Sequence, residues 1–179
     1  QRLGRRSERI PGVAYDGSRL QLPAAFDLLP DRALNKQLYF WTAAWIAVAA
    51  DIEIPAFDLR TARANDVQRI DFALATSQEV RNRFPGLAKA YEALSAACLA
   101  QRPQRPLPPA EAAVEKLICK CLSQPGLERI DDAEADEILT LPAKGYRPYL
   151  PVPLWPDYAL IAEAEKAERQ RELDNKRKS

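Results

Sequence analysis

The sequence predicts a mainly α-helical fold, a bundle of four to six helices with a small N-terminal β-hairpin and a C-terminal proline-rich strap. Three observations predict it. Apolar residues recur at three- and four-residue spacing through most of the stretch from Leu34 to Leu122. One Asp-Gly pair stands between short runs of alternating apolar residues. Five prolines crowd into positions 142 to 156. At 179 residues the chain has about the length of one domain and can bury a real core. Its expected parts are a basic arm at 1–10, a hairpin plus helical domain at 11–141, a proline/aromatic strap at 142–158, and a charged helix or linker at 159–179.

The arm holds Arg2, Arg5, Arg6 and Arg9 without an apolar period, which suits a mobile or docked basic segment. In "GVAYDGSRLQLP" the Asp16-Gly17 pair fits a tight type I′ turn, whose two central residues need positive φ. With that turn Val13, Tyr15, Leu20 and Leu22 fall on one face, and a lone hairpin must pack that face on something else.

The first helix is "LNKQLYFWTAAWIAVAA", Leu34 to Ala50. Its unbroken apolar part is shorter than the roughly 20 residues a membrane span needs, so it predicts a buried core helix and no membrane insertion. Leu34, Leu38, Trp41, Trp45 and Val48 share one face, and Phe40, Ile46 and Ala49 widen it most of the way round. Asp31 is the expected N-cap, with Asn35 as the later alternative. Trp41 and Trp45 are expected in the core, their indole N–H groups partnered by polar groups of the hairpin or connectors.

A second helix is expected to begin at Asn65 or Asp66, with Val67, Ile70, Leu74, Val80 and Phe84 inward, and to break at Pro85-Gly86. The third carries Leu87, Tyr91, Leu94 and Cys98. After the proline-stiffened connector "RPQRPLPP", Pro109 suits a first helical turn, with Glu111 near the positive end of the dipole and Val114, Leu117, Ile118, Cys121 and Leu122 buried. The segment "DDAEADEILTL" offers Asp131 and Glu134 at capping-box spacing for one short helix. The expected core thus includes Leu38, Trp41, Trp45, Val48, Leu74, Tyr91, Leu94 and Leu117.

In the strap, prolines alternate with Tyr146, Tyr149, Leu154, Trp155 and Tyr158. Such a segment favours extended geometry without internal hydrogen bonds. It is read as a strap whose aromatics tuck into the helices, with a recognition segment as the alternative. The closing "AEAEKAERQRELDNKRKS" has almost no apolar stripe but sets Glu165 before Arg169 and Glu172 before Lys176, which describes a solvated helix or linker outside the core.

Composition narrows the function classes. The charge of +1, from 26 basic and 25 acidic residues, does not favour a nucleic acid or an anionic membrane. There is no histidine, so the usual general base and commonest metal ligand are missing. There is no methionine either, and the chain is expected to be a piece of a longer protein. Cys98, Cys119 and Cys121 suit neither a disulfide framework nor a zinc site, and are expected as buried thiols of a reducing cytoplasm. Nucleophile elbow, phosphate loop and dinucleotide fingerprint are all missing, and the neighbouring carboxylates Asp131/Asp132 and Asp136/Glu137 lie on a polar segment. The expectation is a non-enzyme without a cofactor of its own. A nucleic-acid-binding regulatory module using the arginine arm is the alternative, with salt-sensitive binding as its signature; a purely structural interaction domain is a third.

The ordered series "RLQLPAAFDLLPDRALNKQLYFWTAAWIAV", "RNRFPGLAKAYEAL", "LPPAEAAVEKLI" and "YRPYLPVPLWPDY", from about Leu20 to Tyr158, resembles the region ahead of the von Willebrand factor A domain in the family of the nitric oxide reductase activation protein NorD and the Rubisco activation protein CbbO. The resemblance implies an adaptor that works with a hexameric MoxR-class AAA+ ATPase, which binds ATP and supplies the force, on a target that is either Rubisco or nitric oxide reductase. It implies also that a divalent metal site, if one exists, lies in the von Willebrand domain outside these residues, because "DGSRL" at Asp16 to Leu20 lacks the second serine of the family's Asp-x-Ser-x-Ser motif. Arg5, Arg6, Arg9, Tyr149 and Trp155 are the expected partner contacts.

Overall fold

Asp31 decides where the first helix starts. It follows Pro30 in extended conformation, and its carboxylate accepts a hydrogen bond from the Leu34 N–H at 2.9 Å, capping α1 (Arg32–Asp51) in the computed structural model. The structure describes residues 12–52, 61–157 and 159–178. The arginine arm and Tyr158 therefore lie outside the described residues. Asn35 is not the cap. It is a buried residue inside α1 whose Oδ1 accepts from the N–H groups of Leu28 and Leu29, both at 2.9 Å, while its Nδ2 donates to the carbonyls of Leu29 and Asp31. One amide side chain thereby ties the entering loop to the helix.

Leu38, Trp41, Trp45, Ile46, Val48 and Ala49 of α1 are all 1% exposed or less. Phe40, expected to widen the buried face, is 55% exposed. The correction has a packing cause: α1 rests mainly on α2, α3 and α6, which leaves one side of the helix open.

Helix α2 (Ala62–Arg83) begins earlier than expected, capped by the Thr61 hydroxyl, which accepts from the Ala64 N–H at 3.1 Å. Asp66 is consequently inside the helix, 1% exposed. Phe84 was expected inward and is exposed, because α2 has ended and residue 84 has left helical geometry (φ −127°, ψ 73°). A 3-10 turn at Pro85–Leu87 leads into α3 (Ala88–Ala100), and α4 spans Pro109–Ser123 with its first-turn proline and Glu111 where expected. Helix α5 (Asp132–Thr140) is capped by Asp131, which accepts from the N–H groups of Ala133 and Glu134. Glu134 turns instead to Lys120 of α4, whose Nζ donates to it at 2.6 Å, so the short helix is pinned from both ends of that sequence motif.

The hairpin pairs β1 (Ala14–Tyr15) with β2 (Leu20–Gln21) in the register Tyr15 to Leu20 and Ala14 to Gln21. Its loop is four residues long, not two. Only glycines have positive φ among the described residues, Gly17 at +96° being one, so Asp16 does not take the type I′ position. Instead Asp16 Oδ1 accepts from the N–H groups of Ser18 and Arg19 and from the Ser18 hydroxyl, which holds the longer loop closed. A register looser by two residues keeps each side chain on its face. Val13 is accordingly buried, and Tyr15, Leu20 and Leu22 are packed against the core.

Helix α6 (Ala159–Lys178) departs from the expected solvated segment at its start. Ile161 and Ala164 are 1% and 3% exposed, beside α1 and the hairpin, while the later turns face solvent. Gly17 lies close against it, where an added Cβ would come within 3.4 Å of Glu168 Oε2. Glu165 and Arg169 form the expected pair, at 3.8 Å. One core runs through all these elements; in it the rings of Trp41 and Tyr91 lie 4.8 Å apart, Trp45 meets Phe72 edge-on, and the Arg81 guanidinium sits 4.6 Å over Tyr91. No described helix is long and apolar enough to cross a membrane.

Candidate functional site

Prolines 142, 148, 151, 153 and 156 have no N–H to offer, and among its described residues the strap forms almost no backbone hydrogen bonds of its own beyond two tight turns, Tyr146 N–H to Ala143 O and Trp155 N–H to Val152 O. A segment so built must be held by others. The helices below supply the missing partners from four places, and these polar clamps are the most distinctive geometry of the molecule.

On α2, Asp66 Oδ2 accepts from the Tyr146 hydroxyl at 2.8 Å and from the Tyr149 N–H at 3.2 Å. Arg69, one turn on, reaches Asp66 at 3.9 Å and Asp157, at the far end of the strap, at 2.9 Å. Burial pushes the Asp66 carboxyl above its ordinary value, although both hydrogen bonds and Arg69 work against the shift. Burial and the Asp66 charge together push the Tyr146 phenol up. After α3, Arg102 is 6% exposed and grips Glu115 of α4 through two bonds of 2.7 Å, while its Nη1 donates to the carbonyls of Leu150 and Pro151. At the start of α4, Glu111 accepts from the Arg147 N–H at 3.1 Å. From α1, the Trp41 indole donates to the Leu154 carbonyl at 2.8 Å. A further arginine on α2, Arg63, donates to the carbonyls of Leu139 and Leu141 and closes the C-terminal end of α5 just before the strap begins.

Val152, Leu154 and Trp155 are thereby pressed into the core, at 2%, 0% and 7% exposure, while Leu150 stays 46% exposed. Of the expected partner contacts, Trp155 is thus an interior residue and Tyr149 is half-buried; Arg5, Arg6 and Arg9 lie outside the described residues. The Tyr149 phenol is pushed up by burial and by Asp66 and Asp157, with Arg69 and Arg102 opposing. Leu38, Trp41, Trp45, Val48, Leu74, Tyr91, Leu94 and Leu117 are each 2% exposed or less. The Trp41 indole finds its partner on the strap, whereas the buried Trp45 indole N–H has none among the described residues, contrary to the expectation for both.

The cysteines are free thiols. Cys98 and Cys121 are buried, and burial raises them to about 11 and about 12; Cys119 is half-buried, its thiol 3.8 Å from Glu115. Among the described residues no group of three His, Cys, Asp or Glu side chains is placed to hold a metal ion. Sequence reasoning missed the clamps. Spacing alone makes Asp66 one of two possible helix starts and puts Arg102 at the head of the proline-stiffened connector; the signal that marks them is a charge set on, or directly after, an otherwise apolar helical stripe.

The class these features define is a helical body fastened by buried charges to an extended proline-rich strap. The particular relatives are NorD proteins, and this chain is a NorD-like region. It is 38% identical over 159 residues, 87% of its length, to Protein NorD of Brucella abortus (strain 2308), and 33% identical over 119 residues to Protein NorD of Stutzerimonas stutzeri, covering 66% of this chain and 17% of that protein. It is also 30% identical over 157 residues, 87% of this chain and 21% of the relative, to an uncharacterised protein of Pseudomonas aeruginosa. The chain spans about a quarter of the length of the Brucella relatives, 24%. No family model matches it, and no solved structure does.

Proposed function

We propose that the chain is the helical body of a NorD-type accessory protein, an adaptor that works beside a MoxR-class AAA+ ATPase to activate nitric oxide reductase. The observation that carries the reading is the 38% identity to NorD across 87% of the chain. The relatives are named NorD, the nitric oxide reductase branch of the family that the sequence resembles, and this favours that target over Rubisco. The pinned strap supports a scaffold role, since a stiff body transmits force between an engine and a target without large ordering losses. In this scheme residues 1–10 are an arm, 11–141 the hairpin and helical domain, 142–158 the strap, and 159–179 the link to a von Willebrand domain. The ATPase supplies ATP hydrolysis, the helical body docks on its ring with help from the arm and the Tyr149 side of the strap, and the linked domain engages the target in the cytoplasm.

The test is a pull-down of the full-length parent protein with the MoxR-type ATPase encoded beside it, with ATP present, repeated after deletion of residues 12–157. Association that requires the segment supports the docking role. Association that persists without it, or a segment that binds unrelated DNA in a salt-sensitive manner and ignores the ATPase, overturns that role.

A further inference from the structure

The connector after α3 and the strap run side by side over the first turns of α4, and a groove opens between them. Leu107, Pro148, Tyr149 and Leu150 line it, and Leu150 is 46% exposed, so the groove has apolar and aromatic surface that nothing in the described structure covers. Four charged side chains also line it: Arg105, Glu111, Glu115 and Arg147. The two carboxylates are already engaged. Both oxygens of Glu115 hold Arg102, and Glu111 accepts the Arg147 N–H from the first turn of α4, where the positive end of the helix favours its charge. The two guanidinium groups are not engaged. Arg105 and Arg147 are exposed, and among the described residues neither guanidinium has a hydrogen-bond or ion-pair partner.

We propose that this groove docks an acidic, extended segment of a partner protein, its carboxylates taken by Arg105 and Arg147 and an apolar side chain seated on Leu150 and Tyr149. The unspent charge is what selects the occupant: a forked guanidinium matches a carboxylate in two parallel hydrogen bonds. Pro103 and Pro148 lack N–H groups, so a strand-like partner finds no continuous edge to pair with, and recognition falls to side chains. Asp66, Arg102 and Glu111 already fix the strap, so the groove is formed before the occupant arrives. Two cations are too few for firm binding of a phosphate backbone, whose affinity grows with the number of phosphates neutralised. The inference goes beyond the adaptor role and does not depend on it.

The experiment uses the full chain and three arrays of twelve-residue peptides: Asp/Glu mixed with Leu/Phe, Lys/Arg mixed with Leu/Phe, and Asp/Glu mixed with Ser/Gly. Members of the first array are expected to bind at least about tenfold more tightly than any of the other two. The double variant Arg105→Glu/Arg147→Glu is expected to lose at least about tenfold in that binding while keeping the wild-type melting temperature, and Lys89→Glu, on α3 outside the groove, to bind as wild type. Silence on all three arrays, equal retention of the basic peptides, undiminished binding by the folded double variant, or tighter binding of single-stranded DNA than of any peptide overturns the proposal.

Discussion

At position 66 a carboxylate is kept 1% exposed by a tyrosine hydroxyl and a strap amide 80 and 83 residues away in the chain. Its raised folded value has a definite consequence for pH. A carboxyl whose folded value lies above the unfolded one contributes its full stability below the unfolded value, about 4, and loses it as pH rises through the folded value. The variant Asp66→Asn keeps an oxygen for both donors and removes the titration. Urea unfolding across pH should therefore show wild type losing ground to Asp66→Asn as pH climbs from about 4; a flat or shrinking difference would contradict the assignment. Arg102 behaves differently, because removing it strands the Glu115 charge and the Leu150 carbonyl together. Arg102→Met should cost about 3–5 kcal/mol, read from urea unfolding. Neither residue was legible in its role. Local spacing locates a charge on a stripe but says nothing about a partner half the chain away.

Elements were far more legible than their contacts, since a helix announces itself within a few turns. The stripes of α1, α3 and α4 are readable because periodicity agrees with the breakers Pro30 before α1, Pro85-Gly86 before α3 and the Pro125-Gly126 pair that follows α4 in the chain. What misled was the rim of a stripe. Phe40 and Trp45 lie on the same apolar helix, yet one is 55% exposed and the other fully buried, and only the arrangement of α2, α3 and α6 separates them. Phe40→Ser should thus change stability by no more than about 0.5 kcal/mol, whereas Trp45→Asp, which buries an unpaired charge, should abolish cooperative unfolding in a circular-dichroism melt. A folded Trp45→Asp protein would mean that α1 is less enclosed than described. The first turns of α6 failed in the opposite direction, because two small apolar contacts, Ile161 and Ala164, leave hardly any periodic trace in a run of charges.

For the molecule as a whole, the thiols report whether the core is closed. Cys98 and Cys121 are buried and raised to about 11 and 12, while Cys119 is half-buried. Alkylation of the native protein at pH 8 should modify Cys119 alone, with all three modified in denaturant, as read from intact mass. Rapid double or triple modification without denaturant would show an open core. The mainly helical class with its small hairpin was readable from composition and period alone; the register of the hairpin and the seating of the strap were not, because both depend on bonds made across the finished body.

The clamps also impose an order on synthesis. Asp66, Arg63 and Trp41 are made long before the tyrosines and carbonyls that answer them at 141, 146, 149 and 154. At roughly 5–20 residues per second, a ribosome takes several seconds to travel from the first to the last of these, and for most of that interval the nascent helices carry a buried-site carboxylate, an arginine and an indole without the partners that answer them. Until residue 157 has cleared the exit tunnel this seam stands open to chaperones and proteases, and its closing is the event that ends their access.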